Sequence, residues 1–318
     1  MSKEVDYRGA WQLMMGANTL ALVSHVGPDG DTLGSALGLC HALREAGKKV
    51  ILLVDDQLPR LYHFLPGLTD YQHPKAEEKL ACDLTVVVDA SSKDRMGAAE
   101  QCLSAPILNI DHHISNTHYA DTLLLDTQAA ATGEIMYRML QANQVPISEK
   151  TAVCLYTAIV TDCGYFKYAN TTPSWMRAAA DLVEIGVDPN EISDLLEMKS
   201  RESVELLGKV LPGMTFYADN RIATLEVPHE LYNKNVSTES FIYYPRYIDG
   251  VEVAVMFKAV EKNQVRVSMR SKHVDVSKVA LLFNGGGHAK AAGCTVGASL
   301  EDAKKQVVEA LEKALEEL

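Results

Sequence analysis

The sequence has few positive charges, no paired cysteines and no long apolar run. Its 30 lysines and arginines face 42 aspartates and glutamates, a net charge of −12, whereas proteins that grip duplex nucleic acid through its phosphates are strongly basic. None of the six cysteines forms a CxxC pair, which argues against a zinc finger or a disulfide framework. No apolar stretch approaches the ~20 residues of a membrane span, and the first residues lack a signal-type apolar core. We therefore expect a cytoplasmic protein with neither a membrane nor duplex nucleic acid as partner.

The 318 residues suffice for two domains, and the apolar pattern changes along the chain. In the first half, apolar runs alternate with helical patterns, which predicts an α/β domain over 1–188, a parallel sheet with helices on both faces. The runs are LALVSH, VILLVDD, LTVVVDA and PILNID. A charged helical stretch, 189–212, is predicted to connect this domain to a smaller α+β domain, 213–318. There EVAVMFKAV and VRVSMRS are expected to form a hairpin, and the last residues an amphipathic helix.

Acids and histidines follow several of the predicted strands and one apolar helix. They are His25, Asp29 and Asp31; Asp89; Asp111, His112 and His113; and Asp162. Residues just past the carboxyl ends of parallel strands share one crevice, so we expect these side chains to meet. Each has an ordinary alternative, since PDGD is a common turn and a strand-terminal Asp often caps a helix. The joint pattern favours a site.

The predicted cluster of carboxylates is electrostatically unfavourable without a counter-charge. Four carboxylates about 5 Å apart would repel by roughly 3 kcal/mol per pair at an effective dielectric of ~20, or about 20 kcal/mol over all pairs. This exceeds the ~5–15 kcal/mol stability of a typical domain. Two divalent cations would turn the repulsion into coordination, and oxygen ligands with a few imidazoles suit Mn²⁺ or Mg²⁺, with Fe²⁺ and Co²⁺ as alternatives.

The same stretches resemble the DHH phosphoesterase superfamily, named for the triplet found here at Asp111, His112 and His113. The likeness includes SHVGPDGDTLGS, VVVDASSKDRMG, LNIDHHISN, TDCGYFKYANTT and, in the second half, VSMRSKHVDVSKVALLFNGGGHAKAAG, which is similar to the DHH-associated C-terminal domain. Within the superfamily the chain looks most like the group that hydrolyses very short RNAs and 3′-phosphoadenosine 5′-phosphate (pAp). The resemblance implies a manganese-dependent hydrolase with its active site in a cleft between the two domains.

The resemblance also implies a role for each acid and histidine of the pattern. His25, Asp29 and Asp89 would hold one metal, and Asp31, Asp89, His112 and Asp162 the other, so that Asp89 bridges. His113 would face the scissile phosphate, either as hydrogen-bond donor to a non-bridging oxygen or as proton donor to the leaving group, while Asp111 would orient the imidazoles. Cys163 stands where the family usually has Thr, and we interpret it as a tolerated small residue rather than a ligand.

Substrate contacts are expected mainly from the second half. The stretch GGGHAKAAG, 285–293, would bring Gly285, Gly286, Gly287 and His288 to a phosphate, with Arg270 and Ser271 from the preceding strand. A glycine-rich turn with a packed histidine is the alternative. Asn116 and Arg95 are weaker candidates for substrate contact. The glycines of GDTLGSALG lack the Lys of a phosphate-binding loop and are expected to pack a helix closely on the sheet.

Other functions stay open at this point. Some family members hydrolyse cyclic di-AMP or its linear product pApA, and no residue here decides between these substrates and short RNA. An inorganic pyrophosphatase is disfavoured, because that branch has a different C-terminal phosphate site. A non-catalytic nucleotide sensor is a second class, although such proteins often lose a ligand that this chain retains. The expected partners are short single-stranded RNA or small nucleotides, and a homodimer is left open.

Overall fold

The computed structural model describes residues 2–75, 77, 79–168 and 170–317. The chain forms two compact units, Met1–Met198 and Lys199–Leu318. The boundary falls within the stretch predicted to be a connector, and the finer division at 188 and 212 stays a prediction. All six cysteines are free thiols. Among the described residues, no helix combines the length and the apolar character that crossing a membrane requires.

The first unit alternates strands and helices. Its elements are β1 (Lys3–Glu4), α1 (Tyr7–Gly16), β2 (Thr19–Ser24), α2 (Gly30–Glu45), β3 (Lys49–Leu53), β4 (Tyr71–Gln72), β5 (Leu84–Val88), α3 (Ala99–Cys102), β6 (Ile107–Asp111), β7 (Thr122–Leu125), α4 (Thr132–Ala142), α5 (Glu149–Asp162), α6 (Pro173–Ile185) and α7 (Pro189–Glu197). Short 3₁₀ turns lie at Arg60–Tyr62, Leu68–Asp70 and Lys93–Met96.

The strands described for this unit form one parallel seven-stranded sheet in the order β1-β7-β6-β5-β2-β3-β4. This confirms the predicted α/β class. Alternate residues of β2 serve opposite faces: Leu20 and Leu22 join the large core under α1, α2, α4, α5 and α6, whereas Ala21 and Val23 join a smaller core near α3. The chain order reverses between β2 and β5, and ligands of open parallel sheets bind at such a switch point.

The glycines of α2 pack against α5 rather than on the sheet. A Cβ on Gly38 would lie 2.7 Å from Leu155, and one on Gly34 would strike the carbonyl of Cys154. A Cβ on Gly30, at the start of the helix, would collide with the side chain of Thr161. The expectation of close helix packing therefore named the wrong partner. These contacts fix the N-terminus of α2 beside the C-terminus of α5, where Asp162 lies.

The second unit contains a mixed sheet. Its elements are α8 (Arg201–Val210), β8 (Thr215–Tyr217), β9 (Ile222–Val227), α9 (Tyr243–Arg246), β10 (Val253–Glu261), β11 (Gln264–Ser271), α10 (Val276–Leu282), β12 (Gly286–His288), β13 (Ala291–Val296) and α11 (Leu300–Glu316), with 3₁₀ turns at Leu211–Gly213 and Glu239–Ile242. The sheet order is β12-β13-β11-β10-β9-β8, and only the β9–β10 pair is parallel within the described residues. The predicted hairpin and C-terminal helix are confirmed.

The two faces of this second sheet are covered differently. Val255, Val267 and Cys294 belong to a core that also contains Val279 of α10 and Val307 of α11. The opposite face is covered over β9 and β10 by a separate cluster that includes residues of α8 and of the 3₁₀ turn Glu239–Ile242.

Candidate metal centre

Three neighbouring strands end at the switch point and deliver the acids and histidines there. In register, Ser24 of β2 pairs with Val88 of β5, and Val88 pairs with Ile110 of β6. His25, Asp89 and Asp111 are the next residues, so the geometry of a parallel sheet brings them to one edge. Asp89 has a left-handed backbone (φ 60°), a conformation that costs free energy in a non-glycine residue and often occurs at functional sites.

The first group of donor atoms comes from His25, Asp29 and Asp89. His25 Nε2 lies 3.7 Å from Asp29 Oδ1 and 3.5 Å from Asp89 Oδ2. The other ring nitrogen of His25, Nδ1, lies 2.9 Å from the carbonyl of Val26, which fixes the ring so that Nε2 faces the carboxylates. Asp29 also caps α2, accepting from the N–H groups of Asp31 and Thr32 at 3.1 Å each.

The second group comes from Asp31, His112 and Asp162. A third set, Asp89, His112 and His113, also lies close together, but His113 Nδ1, 3.7 Å from Asp89 Oδ1, is hydrogen-bonded to Asp111 at 2.7 Å, so we treat His113 separately. His112 Nε2 lies 3.7 Å from Asp31 Oδ2 and 3.8 Å from Asp162 Oδ2. It also lies 3.6 Å from Asp89 Oδ1, so Asp89 contributes one oxygen to each group. The Nδ1 atom of His112 is 3.4 Å from the carbonyl of Ala129, an arrangement similar to that of His25.

These separations fit donors around a shared cation better than hydrogen bonds between the donors. A nitrogen–oxygen hydrogen bond has a length of about 2.7–3.2 Å. Two atoms each bound at about 2.1 Å to a common ion lie roughly 3.0–4.2 Å apart, depending on the angle between them. The observed 3.5–3.8 Å distances fall in the second range. The residues present therefore fit a divalent metal.

The ionisation of the acids shows the same need for positive charge. Burial raises the pKa of Asp89 well above its usual range, and the charges of Asp31, Asp29, Asp111 and Asp162 raise it further. Burial, followed by the charges of Asp31 and Asp29, does the same for Asp162. The Asp89 side chain is 3% exposed, so water screens little of this repulsion. Without a cation, these two carboxyls hold protons more tightly than ordinary aspartates.

The N-terminus of α4 supplies hydrogen bonds to the centre that sequence reasoning missed. The backbone N–H groups of Thr132 and Gly133 donate to Asp31 at 2.7 and 2.9 Å, and the Thr132 hydroxyl donates to Asp89 Oδ1 at 2.8 Å. Ser35 donates to Asp31 Oδ1 at 3.0 Å. Nothing in the stretch ATGEIM shows from the sequence alone that its helix begins over the sheet edge. These donors orient the carboxylates and offset part of their charge.

Asp111 is held behind the two histidines. It is fully buried and accepts from His113 Nδ1 at 2.7 Å and from the N–H of His112 at 2.9 Å. Burial opposes ionisation, but the hydrogen bond and charge of His113, the hydrogen bond from Asn116 and the charge of His112 together lower the pKa of Asp111. Burial likewise opposes the charged form of His113, yet the hydrogen bond and charge of Asp111 raise the pKa of this imidazole.

Asn116 has a different position from the one expected for a substrate contact. It is 8% exposed, and its amide nitrogen donates to Asp111 at 2.6 Å and to Asn109 at 2.8 Å. Both amide hydrogens are thus committed within the protein. The geometry favours positioning of Asp111 over contact with substrate.

Cys163 lies immediately after Asp162 but is not part of either donor group. Its thiol is fully buried, accepts from the indole N–H of Trp175 at 3.1 Å, and has a pKa raised by burial. The structure thus gives the thiol a packing role.

Asp55 and Asp56 also follow a strand, but they lie in neither donor group. Their carboxylates accept hydrogen bonds from the backbone N–H groups of Ala98 and Gly27.

The substrate candidates of the second unit have mixed environments. Ser271 is 3% exposed and donates to the carbonyl of Val274 at 2.5 Å, so its hydroxyl is engaged in the fold rather than offered to substrate. Gly285 and Gly287 pack so tightly on β13 that a side chain would collide, as the turn alternative implied. Gly286 is exposed with open space around it. Arg270 is half-buried, and the side chain of His288 lies outside the described residues.

Arg95 lies beside the first donor group through its backbone. Its carbonyl accepts from the N–H of Val26 at 2.9 Å, and its side chain is half-buried. Contact of this side chain with substrate stays a prediction.

Comparison with known proteins identifies the family. The model of the DHH family, N-terminal domain, matches residues 19–159, and that of the DHHA1 domain matches residues 221–317. A bifunctional oligoribonuclease and PAP phosphatase, NrnA, of Thermus thermophilus is 33% identical over 297 residues, 92% of this chain and 89% of that protein. The chain belongs to the DHH family. It is a DHH phosphoesterase with a histidine–aspartate metal-binding cluster.

Two further comparisons agree with this assignment. The bifunctional oligoribonuclease and PAP phosphatase NrnA of Bacillus subtilis is 29% identical over 287 residues, 88% of this chain and 90% of that protein. The crystal structure of an exopolyphosphatase-related protein from Bacteroides fragilis has a TM-score of 0.90 and 26% identity, covering 96% of this chain and 95% of that one. The DHH resemblance noted in the sequence is therefore confirmed.

Proposed function

We propose that this DHH phosphoesterase hydrolyses short oligoribonucleotides to mononucleotides and pAp to AMP, using two divalent cations, most favourably Mn²⁺. The observation that carries the proposal is Asp89, a buried carboxylate that gives one oxygen to each of two donor groups. These substrates are the ones that the NrnA relatives, about 30% identical over most of the chain, are named for.

The residues that would hold the cations follow the two donor groups. His25, Asp29 and Asp89 would bind one, and Asp31, His112 and Asp162 would bind the other together with Asp89. Carboxylate oxygens with a few imidazole nitrogens suit Mn²⁺, which supports manganese over a soft metal. When bound, such a pair lowers the pKa of a shared water and offsets the charge of phosphoryl oxygens.

His113 is proposed to act on the substrate itself. Its Nδ1 is bonded to Asp111, which holds the ring in place and favours the imidazolium. Nε2 is then the nitrogen that would donate, either a hydrogen bond to a non-bridging phosphoryl oxygen or a proton to the leaving sugar oxygen. Phosphoryl transfer needs positioning and positive charge more than covalent help, and this arrangement supplies both.

Arg270 of the second unit is proposed to contact a substrate phosphate, because its planar guanidinium matches phosphate oxygens. Gly286 and His288, from the adjacent glycine-rich segment, stay in the proposed site. Gly285, Gly287 and Ser271 are assigned to the fold that supports it.

A substrate panel tests the proposal. The purified protein in Mn²⁺ is given RNA di- to pentanucleotides, pAp, pApA and cyclic di-AMP, and the products are separated chromatographically. We expect mononucleotides from the RNAs and AMP from pAp, with no turnover by Asp89→Asn. If the wild type leaves both the RNAs and pAp intact, the substrate assignment is wrong. If cyclic di-AMP or pApA is turned over faster than the RNAs and pAp, the preferred substrates are cyclic or linear dinucleotides instead.

A further inference from the structure

A row of cations lies on one face of the second sheet. Lys258 of β10 and Arg266 of β11 are paired in register, and Arg270 is four residues further along β11. Side chains of a strand alternate between faces, so these three share the face of Ala254 and Met256 rather than that of the α10–α11 core. At about 3.3 Å per residue, Arg266 and Arg270 lie about 13 Å apart along the strand.

Lys258 and Arg266 form an unfavourable pair as they stand. Like charges directly opposite each other on neighbouring strands repel. Burial lowers the pKa of Lys258, the charge of Arg266 lowers it further, and Glu239 opposes the change. Neither cation forms a salt bridge with a carboxylate of the described residues; the Lys258 ammonium donates to the Thr238 hydroxyl at 3.4 Å. An external anion would relieve this repulsion.

Between the two cationic positions, the β13 side of β11 carries small side chains, whereas the β10 side is bounded by Met256, which pairs with Ser268 and belongs to the buried cluster that covers β9 and β10. In the row between them, Ser268 of β11 pairs with Gly293 of β13, which pairs with exposed Gly286 of β12. Ala291 pairs with Arg270. Because these side chains are small, a ligand can lie close to the sheet. We call this surface the tray; it is bounded by Arg270 at one end and by Lys258 with Arg266 at the other.

We propose that Lys258 and Arg266 bind a phosphate of a single-stranded oligonucleotide that runs along β11 from Arg270. This inference rests on the proposed function, because it takes Arg270 as a phosphate contact. With one phosphate per about 3.4 Å of a stacked strand, the 13 Å length of the tray corresponds to about four nucleotide steps, and to fewer if the strand is stretched. A ligand with one nucleoside, such as pAp, is too short to reach both ends. The tray thus distinguishes oligonucleotides from pAp.

A double variant, Lys258→Gln with Arg266→Gln, tests the tray. Lys305→Gln is the matched control, because it removes an exposed positive charge from α11, on the other side of the sheet. Hydrolysis of pAp, an RNA dinucleotide and an RNA pentanucleotide is measured in Mn²⁺ at several salt concentrations. Binding of a fluorescein-labelled RNA pentanucleotide is measured separately by anisotropy in EDTA, where turnover is stopped.

We expect the double variant to bind the pentanucleotide about tenfold more weakly and to raise its KM similarly. The slope of log Kd against the logarithm of the salt concentration should be smaller than that of wild type by about 0.7–1.4, which corresponds to one or two lost phosphate contacts on a single strand. Turnover of pAp and the dinucleotide should stay within twofold of wild type.

Unchanged pentanucleotide affinity, or an equal loss for pAp and the pentanucleotide, would overturn the tray. A wild type that hydrolyses no RNA but binds the pentanucleotide through these two cations would instead leave the tray standing and refute the proposed function.

Discussion

Replacement of Thr132 by valine tests whether α4 positions the metal ligands. The substitution keeps the shape of the side chain and the backbone N–H that donates to Asp31, but removes the hydroxyl that donates to Asp89 at 2.8 Å. A hydrogen bond to a charged group contributes about 1.5–3 kcal/mol. At about 1.4 kcal/mol per tenfold change, metal affinity should fall roughly 10- to 100-fold.

The assay for this variant is activity titrated against free Mn²⁺, with calorimetry for binding. We expect the half-saturating Mn²⁺ concentration to rise 10- to 100-fold, while kcat at saturating Mn²⁺ changes much less. Thr157→Val is the control, because that hydroxyl is also buried but donates to the carbonyl of Val153 within α5. An unchanged Mn²⁺ requirement, or an equal shift in both variants, would refute the positioning role of Thr132.

Three further substitutions separate the proposed roles. Asp89→Asn should abolish activity and the stabilisation by Mn²⁺. In the metal-free protein it should raise the melting temperature, because Asn mimics the protonated carboxyl and burial raises the pKa of Asp89. This gain over wild type should increase with pH, since the wild-type carboxyl must lose its proton as the pH rises. His113→Ala should keep both metals by elemental analysis but lower kcat by about 10²–10⁴-fold, the usual contribution of a positioned acid. Arg270→Ala should raise KM for pAp roughly tenfold with metal content unchanged, since only a phosphate contact is lost.

Each of these has an outcome that contradicts it. A metal-free Asp89→Asn protein less stable than wild type at high pH would show that the carboxylate is not repelled by its neighbours. Loss of metal from His113→Ala would make the histidine a ligand. Loss of metal from Arg270→Ala would remove the assignment of that arginine to substrate.

The strand ends could be predicted from the sequence because they rest on local patterns. Apolar runs predicted β2, β3, β5 and β6, and the rule for parallel strands then placed His25, Asp89 and Asp111 at one edge. The order of the strands, with β2 between β3 and β5, involves pairing between distant residues, which periodicity does not encode. The switch point between β2 and β5 therefore emerged only in the folded chain.

Side-chain partners were less predictable than side-chain locations. Asn116 and Ser271 are polar and adjacent to functional motifs, so both were expected at substrate. The structure commits the amide hydrogens of Asn116 to Asp111 and Asn109, and the Ser271 hydroxyl to Val274. Thr132 was overlooked for the converse reason, since a threonine beginning a helix is ordinary until the helix points at a carboxylate. Buried polar groups must find partners, but their identity depends on tertiary packing.

The five acids of the centre differ in how far groups of the protein offset their charge. Asp111 has its charge balanced by His113 and by backbone donors, and its pKa is lowered. Burial opposes the ionisation of Asp29 as well, but His25 and two backbone N–H groups together lower its pKa. Asp31, Asp89 and Asp162 have raised pKa values, although Asp31 and Asp89 accept hydrogen bonds from Thr132. Groups of the protein therefore offset the charges of Asp111 and Asp29, but not those of Asp31, Asp89 and Asp162. A cation bound at these groups would supply the missing positive charge. The uncompensated negative charge of the fold therefore lies where the proposed chemistry requires a metal.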